Sequence, residues 1–198
     1  MATALSRKSK SLTLAAMTLG FVVVQLDVTI VNVALPSIGS SLGGGIAGLQ
    51  WVVNAYTLIF AATILTAGAL GDRFGARRCF VAGFLLFTIA SLACGLAPSL
   101  ATLVAARAIQ GIGAAVLVPN SLALLNHAYH DEHERTKALG IWAAGASAAL
   151  AAGPVAGGLL IASIGWRSIF FVNLPLGIFG IWLTWRYAEE STPSRHRA

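Results

Sequence analysis

Long charge-free runs broken by short polar clusters set the pattern of this chain. From Ser11 to Gly71 the only charged side chain is Asp27. Pro36 and the Gly43-Gly44-Gly45 cluster divide that run, which predicts helical spans over about 12–35 and 47–70. A charged turn follows at Asp72, Arg73, Arg77 and Arg78. Cys79 to Ala106 carries no charge and is punctuated at Pro98, predicting a third span over about 79–97. The fourth, about 100–126, contains one charge, Arg107. His127 to Lys137 reads as a polar loop, with Asp131, Glu132, Glu134 and Arg135. Ala138 to Trp166 is again charge-free, so the fifth span falls at about 138–162 and the sixth at about 168–187. A bilayer core takes about 20 apolar residues per helix. The pattern therefore predicts an all-α membrane protein with six transmembrane helices over residues 12–187, flanked by tails at 1–11 and 188–198.

Composition strengthens this picture. The chain has 198 residues, of which 57% are hydrophobic and 10% charged, and its mean hydropathy is +0.80. A soluble domain carries about 25% charged residues. Too few charges exist here to solvate a globular surface, which excludes a disordered chain, a collagen-like chain and an ordinary cytosolic enzyme. The two cysteines, Cys79 and Cys94, fall in one span. Helical geometry separates them by roughly 22 Å, so they do not bridge within it, and no zinc spacing exists.

Net charge is +6, from 13 Lys+Arg and 7 Asp+Glu. In a soluble protein that balance would suggest nucleic acid. Here the bases cluster between spans, so their meaning is topological. With a cytoplasmic amino terminus, the inner side holds Arg7, Lys8, Lys10, Arg73, Arg77, Arg78, Arg135, Lys137, Arg186, Arg195 and Arg197. Only Arg167 falls outside, so both termini are expected in the cytoplasm of a cell-membrane protein. The bases near the inner face are expected to meet anionic lipid rather than nucleic acid. Trp182, Trp185 and Tyr187 suit an inner aromatic belt, with Trp51 and Trp166 near the outer face. The apolar run from Leu12 exceeds a signal peptide's core and lacks a clear cleavage site before Asp27, so the first span is expected to be retained.

Asp27 and Arg107 are the two charges within spans. Each is costly against lipid and is expected to face a polar interior or the other. Counted from the outer ends of their spans, both lie roughly 10–13 Å deep. They are expected to form a water-accessible couple, able either to load and unload a proton or simply to orient two helices. Gln25, Thr29, Asn32 and Gln110 add polarity to the same helices, either lining a path or bonding across helices. His127, His130 and His133 recur at three-residue steps. That spacing would suit a metal on a helical turn, but a solvated loop is the reading favoured here. No metal site is expected. No carboxylate pair, nucleophile triad or phosphate loop points to an enzyme.

Several segments carry a joint signature. The turn after the second span reads Gly68-Ala-Leu-Gly-Asp72-Arg73-Phe-Gly75-Ala-Arg77-Arg78. The fourth span reads Arg107-Ala-Ile-Gln110-Gly111-Ile-Gly113-Ala-Ala115, and the fifth holds Gly153-Pro154-x-x-Gly157-Gly158. The first reads Leu26-Asp27-Val-Thr29-Ile-Val-Asn32-Val-Ala-Leu-Pro36, and the sixth opens Trp166-Arg167-x-x-Phe170-x-x-Asn173-x-Pro175-x-Gly177. In this order, over roughly residues 12–187, they resemble the amino-terminal half of the major facilitator superfamily, in its drug:proton antiporter branch with fourteen spans.

The resemblance implies one six-helix bundle made of two three-helix inverted repeats. It implies proton-coupled efflux of small lipophilic or cationic molecules, with the proton gradient as energy source and no cofactor. Asp27 and Arg107, with Asn32 and Gln110, would serve proton or substrate coupling. Gly68, Asp72, Arg73, Gly75 and Arg77 would form a cytoplasmic conformational latch. Gly153, Pro154, Gly157 and Gly158 would shape a helix that rocks against the other half. One departure is visible: the arginine expected after Gly75 is Ala76. Superfamily members pair two such bundles, so the expected partners are membrane lipid, a small-molecule substrate, and either a second copy or a separate carboxy-terminal half. The alternative is a transport-inactive remnant or assembly partner.

Overall fold

Seven helical segments fill the computed structural model, which describes residues 7–190. The outer parts of the expected tails, 1–6 and 191–198 with Arg195 and Arg197, lie outside the described residues, as does the Arg7 side chain. The helices are α1 (Arg7–Leu42), α2 (Ile46–Phe74), α3 (Ala76–Gly95), α4 (Leu100–Ala128), α5 (Glu132–Ile164), α6 (Ser168–Phe171) and α7 (Asn173–Tyr187). No strand occurs among the described residues. With α6 and α7 taken as the single stretch Ser168–Tyr187, six helices are long and apolar enough to cross a membrane.

Several boundaries differ from the sequence reading, each for a physical reason. Pro36 does not end the first span: α1 continues to Leu42. A proline removes one backbone donor and crowds one carbonyl, and in a long apolar helix the remaining bonds carry the chain past it. Pro119 and Pro154 sit inside α4 and α5 in the same way. The third span starts at Ala76 and ends at Gly95 rather than covering 79–97. The supposed loop 127–137 is mostly helix. α4 runs to Ala128, and α5 begins at Glu132 behind Asp131, whose side chain accepts the Glu134 N–H. Acids in that first turn, Glu132 and Glu134, complement the helix dipole. His127 lies in α4, His130 in the link and His133 in α5, so the three share no helical turn. No metal-binding group of His, Cys, Asp or Glu forms among the described residues. The sixth span is interrupted at Val172, three residues before Pro175, which has no N–H to offer the Phe171 carbonyl.

Between α2 and α3 the chain turns on Gly75 alone, at φ +98. A side chain rarely adopts that conformation, so this connection requires glycine.

The packing has an internal symmetry. α2 lies on α4 as α1 lies on α5, and α3 lies on α4 as α1 lies on α7. α1 also meets α4, and α3 meets α7. Exchanging the first three spans with the last three maps this set of neighbours onto itself, which is the signature of two three-helix repeats. Close approach at the two equivalent interfaces depends on glycine. A Cβ on Gly111 would lie 2.6 Å from the Tyr56 backbone oxygen of α2, and one on Gly153 would overlap Thr29 of α1.

Two apolar clusters form the core. One joins Met17, Val24, Tyr56, Phe80, Phe84, Phe87 and Leu117. The other joins Ile30, Ile38, Val52, Leu103, Trp166 and Phe170. On α1 the clusters are separated by the turn containing Asp27, on α3 by that of Ser91, and on α4 by that of Arg107 and Gln110. A polar layer therefore sits between two apolar ones.

The described chain ends meet at one end of the bundle. The Ser9 and Thr13 hydroxyls donate to the Tyr187 carbonyl at 3.2 and 3.0 Å. Lys10 pairs with Glu134 at 3.0 Å, and the Tyr129 hydroxyl donates to the Lys10 carbonyl at 3.0 Å. Burial pushes the Tyr129 phenol above its ordinary pKa, with Lys10 opposing and Glu134 adding to the rise. The phenol thus stays a donor. Trp166, expected near the outer face, is packed inward there: it is 6% exposed, edge-on to Phe170, with the Arg167 guanidinium over its ring. Cys79 and Cys94 are free.

Candidate functional site

Asp27 is placed by α1 at the level where that helix passes α4 and α7. Arg107 reaches it from α4 and forms an ion pair at 2.5 Å. Gln110, one turn further along α4, donates its Nε2 to Asp27 Oδ1 at 2.9 Å, and Asn173 of α7 donates Nδ2 to the same oxygen at 3.1 Å. All three contacts are donors, so the Asp27 carboxylate acts as an acceptor only.

Arg107 is held from four sides. Besides Asp27, its Nη1 donates to Gln110 Oε1 at 2.8 Å and its Nε to the Val52 carbonyl at 3.2 Å. The Tyr56 ring lies under the guanidinium, 4.2 Å from centroid to Cζ, an attractive placement for a cation. Asn173 bridges onward to Ser91 Oγ at 3.0 Å, and Ser91 donates to the Phe170 carbonyl at 2.9 Å. Cys94 Sγ approaches Gln110 Oε1 at 3.5 Å. One network thus draws on five of the six spans, α5 being the exception.

The network is enclosed. Asp27 is 2% exposed, Arg107 and Asn173 1%, and Gln110 and Ser91 0%. The expected water-accessible couple is therefore a sealed one. The two apolar clusters close on it from above and below, and the charges satisfy each other as burial demands. Removing either partner would leave the other charge unpaired in a dry interior.

The remaining expected site residues divide. Gln110 joins the network. Asn32 does not: it is exposed, and its amide donates to the Val28 carbonyl of its own helix at 2.9 Å. Asn32 is five residues beyond Asp27, half a turn round the helix, so it points away. Thr29 also bonds back to α1, at Gln25 and Leu26. Asn173, Ser91 and Tyr56 are members of the network that nothing in the sequence marks as site residues. An uncharged polar residue in a span is too common to stand out, although Asn173 belongs to the motif that opens the sixth span.

The latch residues are not gathered as a group. Asp72 and Arg73 are exposed, and Asp72 makes no hydrogen bond or ion pair among the described residues. Arg73 lies over the ring of its neighbour Phe74. Arg77 instead ties α3 to the end of α7, donating Nη2 to the Trp185 carbonyl at 2.7 Å and its backbone N–H to Glu190 Oε1 at 3.0 Å. Gly75 leaves room for that carboxylate, since a Cβ there would lie 2.5 Å from Glu190 Oε1. Ala76 is buried, which accounts for a small residue where the resemblance expects an arginine. A Cβ on Gly68 would lie 3.6 Å from the Pro119 Cβ, an ordinary contact, so no close approach requires glycine there.

In α5 only half of the glycine motif packs. Gly153 and Gly157 are buried against Thr29 and Ile30 of α1. Pro154 is exposed, and a Cβ on Gly158 would meet nothing within 4 Å. Residues at successive positions point about 100° apart on a helix, so Pro154 and Gly158 leave the interface that their predecessors make.

Comparison with known proteins gives a consistent outcome. The family described as Major Facilitator Superfamily matches residues 17–198. The chain is 49% identical over 190 residues to the Multidrug resistance protein Stp of Mycobacterium tuberculosis (strain CDC 1551 / Oshkosh), covering 96% of this chain and 35% of that protein. It is 44% identical over 182 residues to the Methylenomycin A resistance protein of Streptomyces coelicolor (strain ATCC BAA-471 / A3(2) / M145), covering 91% and 38%. It is 46% identical over 172 residues to the Drug efflux pump JefA of M. tuberculosis (strain CDC 1551 / Oshkosh), covering 87% and 34%. The chain thus spans about a third of the length of these relatives. Among solved structures, a peptide transporter POT crystallised with sulfate superposes with TM-score 0.77 at 16% identity, over 88% of this chain and 37% of that one. At that identity the likeness speaks for the fold.

Proposed function

The chain belongs to the major facilitator superfamily, and from that premise we propose that it supplies the amino-terminal bundle of a proton-coupled exporter of small, drug-like molecules in the cell membrane. The observation that carries the proposal is the sealed Asp27–Arg107 pair, because ionisable groups are kept within spans mainly where they move ions or substrates. The relatives' names as drug and antibiotic resistance proteins supply the substrate class.

In this reading the enclosed network is one resting state. Opening the bundle toward one side would admit water to Asp27. A proton or a cationic substrate taken up there would then compete with Arg107 for the carboxylate. Superfamily carriers work by rocking two bundles around a midplane site, so the substrate wall would be completed by a second bundle or a second copy. The positive-inside distribution supports a cytoplasmic position for the end bearing Lys10, Arg77 and Arg186. The proton gradient would be the energy source, with no cofactor.

The enclosure of the pair favours a second reading, in which it is a static clamp of α1 on α4 in a transport-inactive bundle. The two separate on Asp27→Asn, whose side-chain oxygen still accepts from Arg107. Drug flux driven by an imposed pH gradient is measured in proteoliposomes, with the chain alone and together with a complementary carboxy-terminal bundle. We expect at least a tenfold loss of gradient-driven flux per folded protein, the folded fraction being counted by size-exclusion chromatography because the neutral amide leaves Arg107 without its counter-charge. Flux that survives the substitution unchanged refutes proton coupling at Asp27. Absence of flux in both preparations of the unsubstituted chain leaves the clamp.

A further inference from the structure

A groove of about 540 Å³ opens at the basic end of the bundle between α3 and the end of α7, lined by Arg77, Arg78, Val81, Leu85, Trp185 and Glu190 among others. We infer that this groove is a binding site for an anionic phospholipid, its phosphate against Arg78 and an acyl chain along Val81 and Leu85.

The charges divide within the groove. The Arg77 guanidinium is engaged with the Trp185 carbonyl, and Glu190 Oε1 accepts the Arg77 backbone N–H. Glu190 Oε2 lies 3.6 Å from Arg78 Nε, yet the Arg78 side chain is 81% exposed. Two arginines against one carboxylate leave a net charge of +1 at the lip, which calls for an anion. The residues after Glu190 carry Arg195 and Arg197 and no acid, so by charge they do not complement it.

The apolar part identifies the anion's carrier as a lipid. Below Arg78 the wall is Val81, Ala82 and Leu85, ending about 10 Å along α3 from Arg78. It continues into an outward face of Leu85, Ile89, Ile178, Phe179 and Trp182, all exposed and all large and apolar. The exposed side of α1, α2 and α5 is mixed: large apolar residues such as Leu65 and Leu159 alternate there with Asn32, Asn54, Thr57 and Ser147. The α3/α7 strip, with no polar residue among those five, is the more uniformly apolar of the two. Trp185, 66% exposed, stands at the lip with the Arg77 guanidinium over its ring, where an indole suits the headgroup level. Basic pockets between helices at that level bind anionic headgroups. The inference rests on membrane insertion alone and is independent of transport.

Trp185 itself reports occupancy. The full chain is reconstituted in phosphatidylcholine vesicles with increasing fractions of brominated phosphatidylglycerol, or of brominated phosphatidylcholine. Quenching of Trp185 is taken as the difference between the natural chain and Trp185→Phe. We expect half-quenching at a mole fraction at least threefold lower for the anionic lipid. Arg78→Gln should abolish that preference, and Glu190→Gln should increase it, because net charge moves to 0 and +2 respectively. Thermal melting confirms that each variant is folded. Equal quenching by the two lipids, a preference indifferent to Arg78→Gln, or displacement by millimolar glycerol phosphate overturns the assignment. Failure of both lipids to reach Trp185 does so too, since protein would then cover the groove.

Discussion

Asn173 is where charge and helix geometry meet. Its amide donates to both Asp27 and Ser91, and it opens α7 immediately after the break at Val172. Asn173→Leu keeps the branched outline and the number of side-chain heavy atoms and removes both bonds. A hydrogen bond to a charged group contributes about 1.5–3 kcal/mol, so we expect a clear fall in the melting midpoint in detergent, followed by size-exclusion fluorescence. Asn173→Asp tests the electrostatic account against simple packing. It keeps the shape but places a second carboxylate within hydrogen-bond distance of Asp27, and like charges that close cannot both stay ionised. Asn173→Asp should therefore be destabilised at least as much as Asn173→Leu at neutral pH and should recover at low pH, where the new acid is protonated. A melting midpoint like the natural chain's at neutral pH would show that the carboxylate is not sensitive to its neighbours. The pairing of Asp27 with Arg107 was legible in the sequence, because two lone charges in apolar runs have few alternatives. Asn173, Ser91 and Tyr56 were not, because their contribution depends on which way three other helices face. Asn32 shows the converse: it shares a motif with Asp27, but five residues of helical rotation carry it to the outside.

At the scale of elements, glycine decides which helices can touch. Gly111 sits against backbone, and a Cβ there would lie 2.6 Å from the Tyr56 oxygen. A side chain can rotate aside, but a helix backbone must be pushed away, and such overpacking costs about 1–3 kcal/mol. A Cβ on Gly158 would meet nothing within 4 Å, and alanine there gains about 0.5–1 kcal/mol of helix stability. Gly111→Ala should lower the melting midpoint and loosen α2 from α4, while Gly158→Ala should leave it unchanged or raise it. Equal effects would contradict the packing described. Charge-free length alone revealed the six helices. Their ends were less legible because proline and polar residues behave differently in a membrane. Pro36 looks like a stop, yet unsatisfied backbone is so costly in hydrocarbon that α1 continues. The polar run after His127 looks like a loop, yet Asp131 and the acids that follow it make a good helix start.

For the whole molecule, the distribution of bases makes a claim about direction. The chain crosses six times, so both described ends fall on one side, as the contacts of Ser9 and Thr13 with Tyr187 require. The same end carries Lys8, Lys10, Arg73, Arg77, Arg78, Arg135, Lys137 and Arg186, while Arg167 bonds the Ala97 carbonyl at the other. Retaining many Lys and Arg on the cytoplasmic side costs nothing during insertion, whereas moving them across does. Single cysteines make this testable in a Cys79→Ser, Cys94→Ala background, since both native thiols lie within the third span. Ser99→Cys, in the exposed link before α4, should react with a membrane-impermeant maleimide on intact cells. Glu132→Cys, exposed at the start of α5, should react only after the membrane is opened. The reverse pattern would invert the bundle. It would also place the groove at Arg78 in the outer leaflet, and Asp27 closer to the inner surface than to the outer one. Direction of insertion therefore decides from which side a proton or cation has the shorter way to the buried pair.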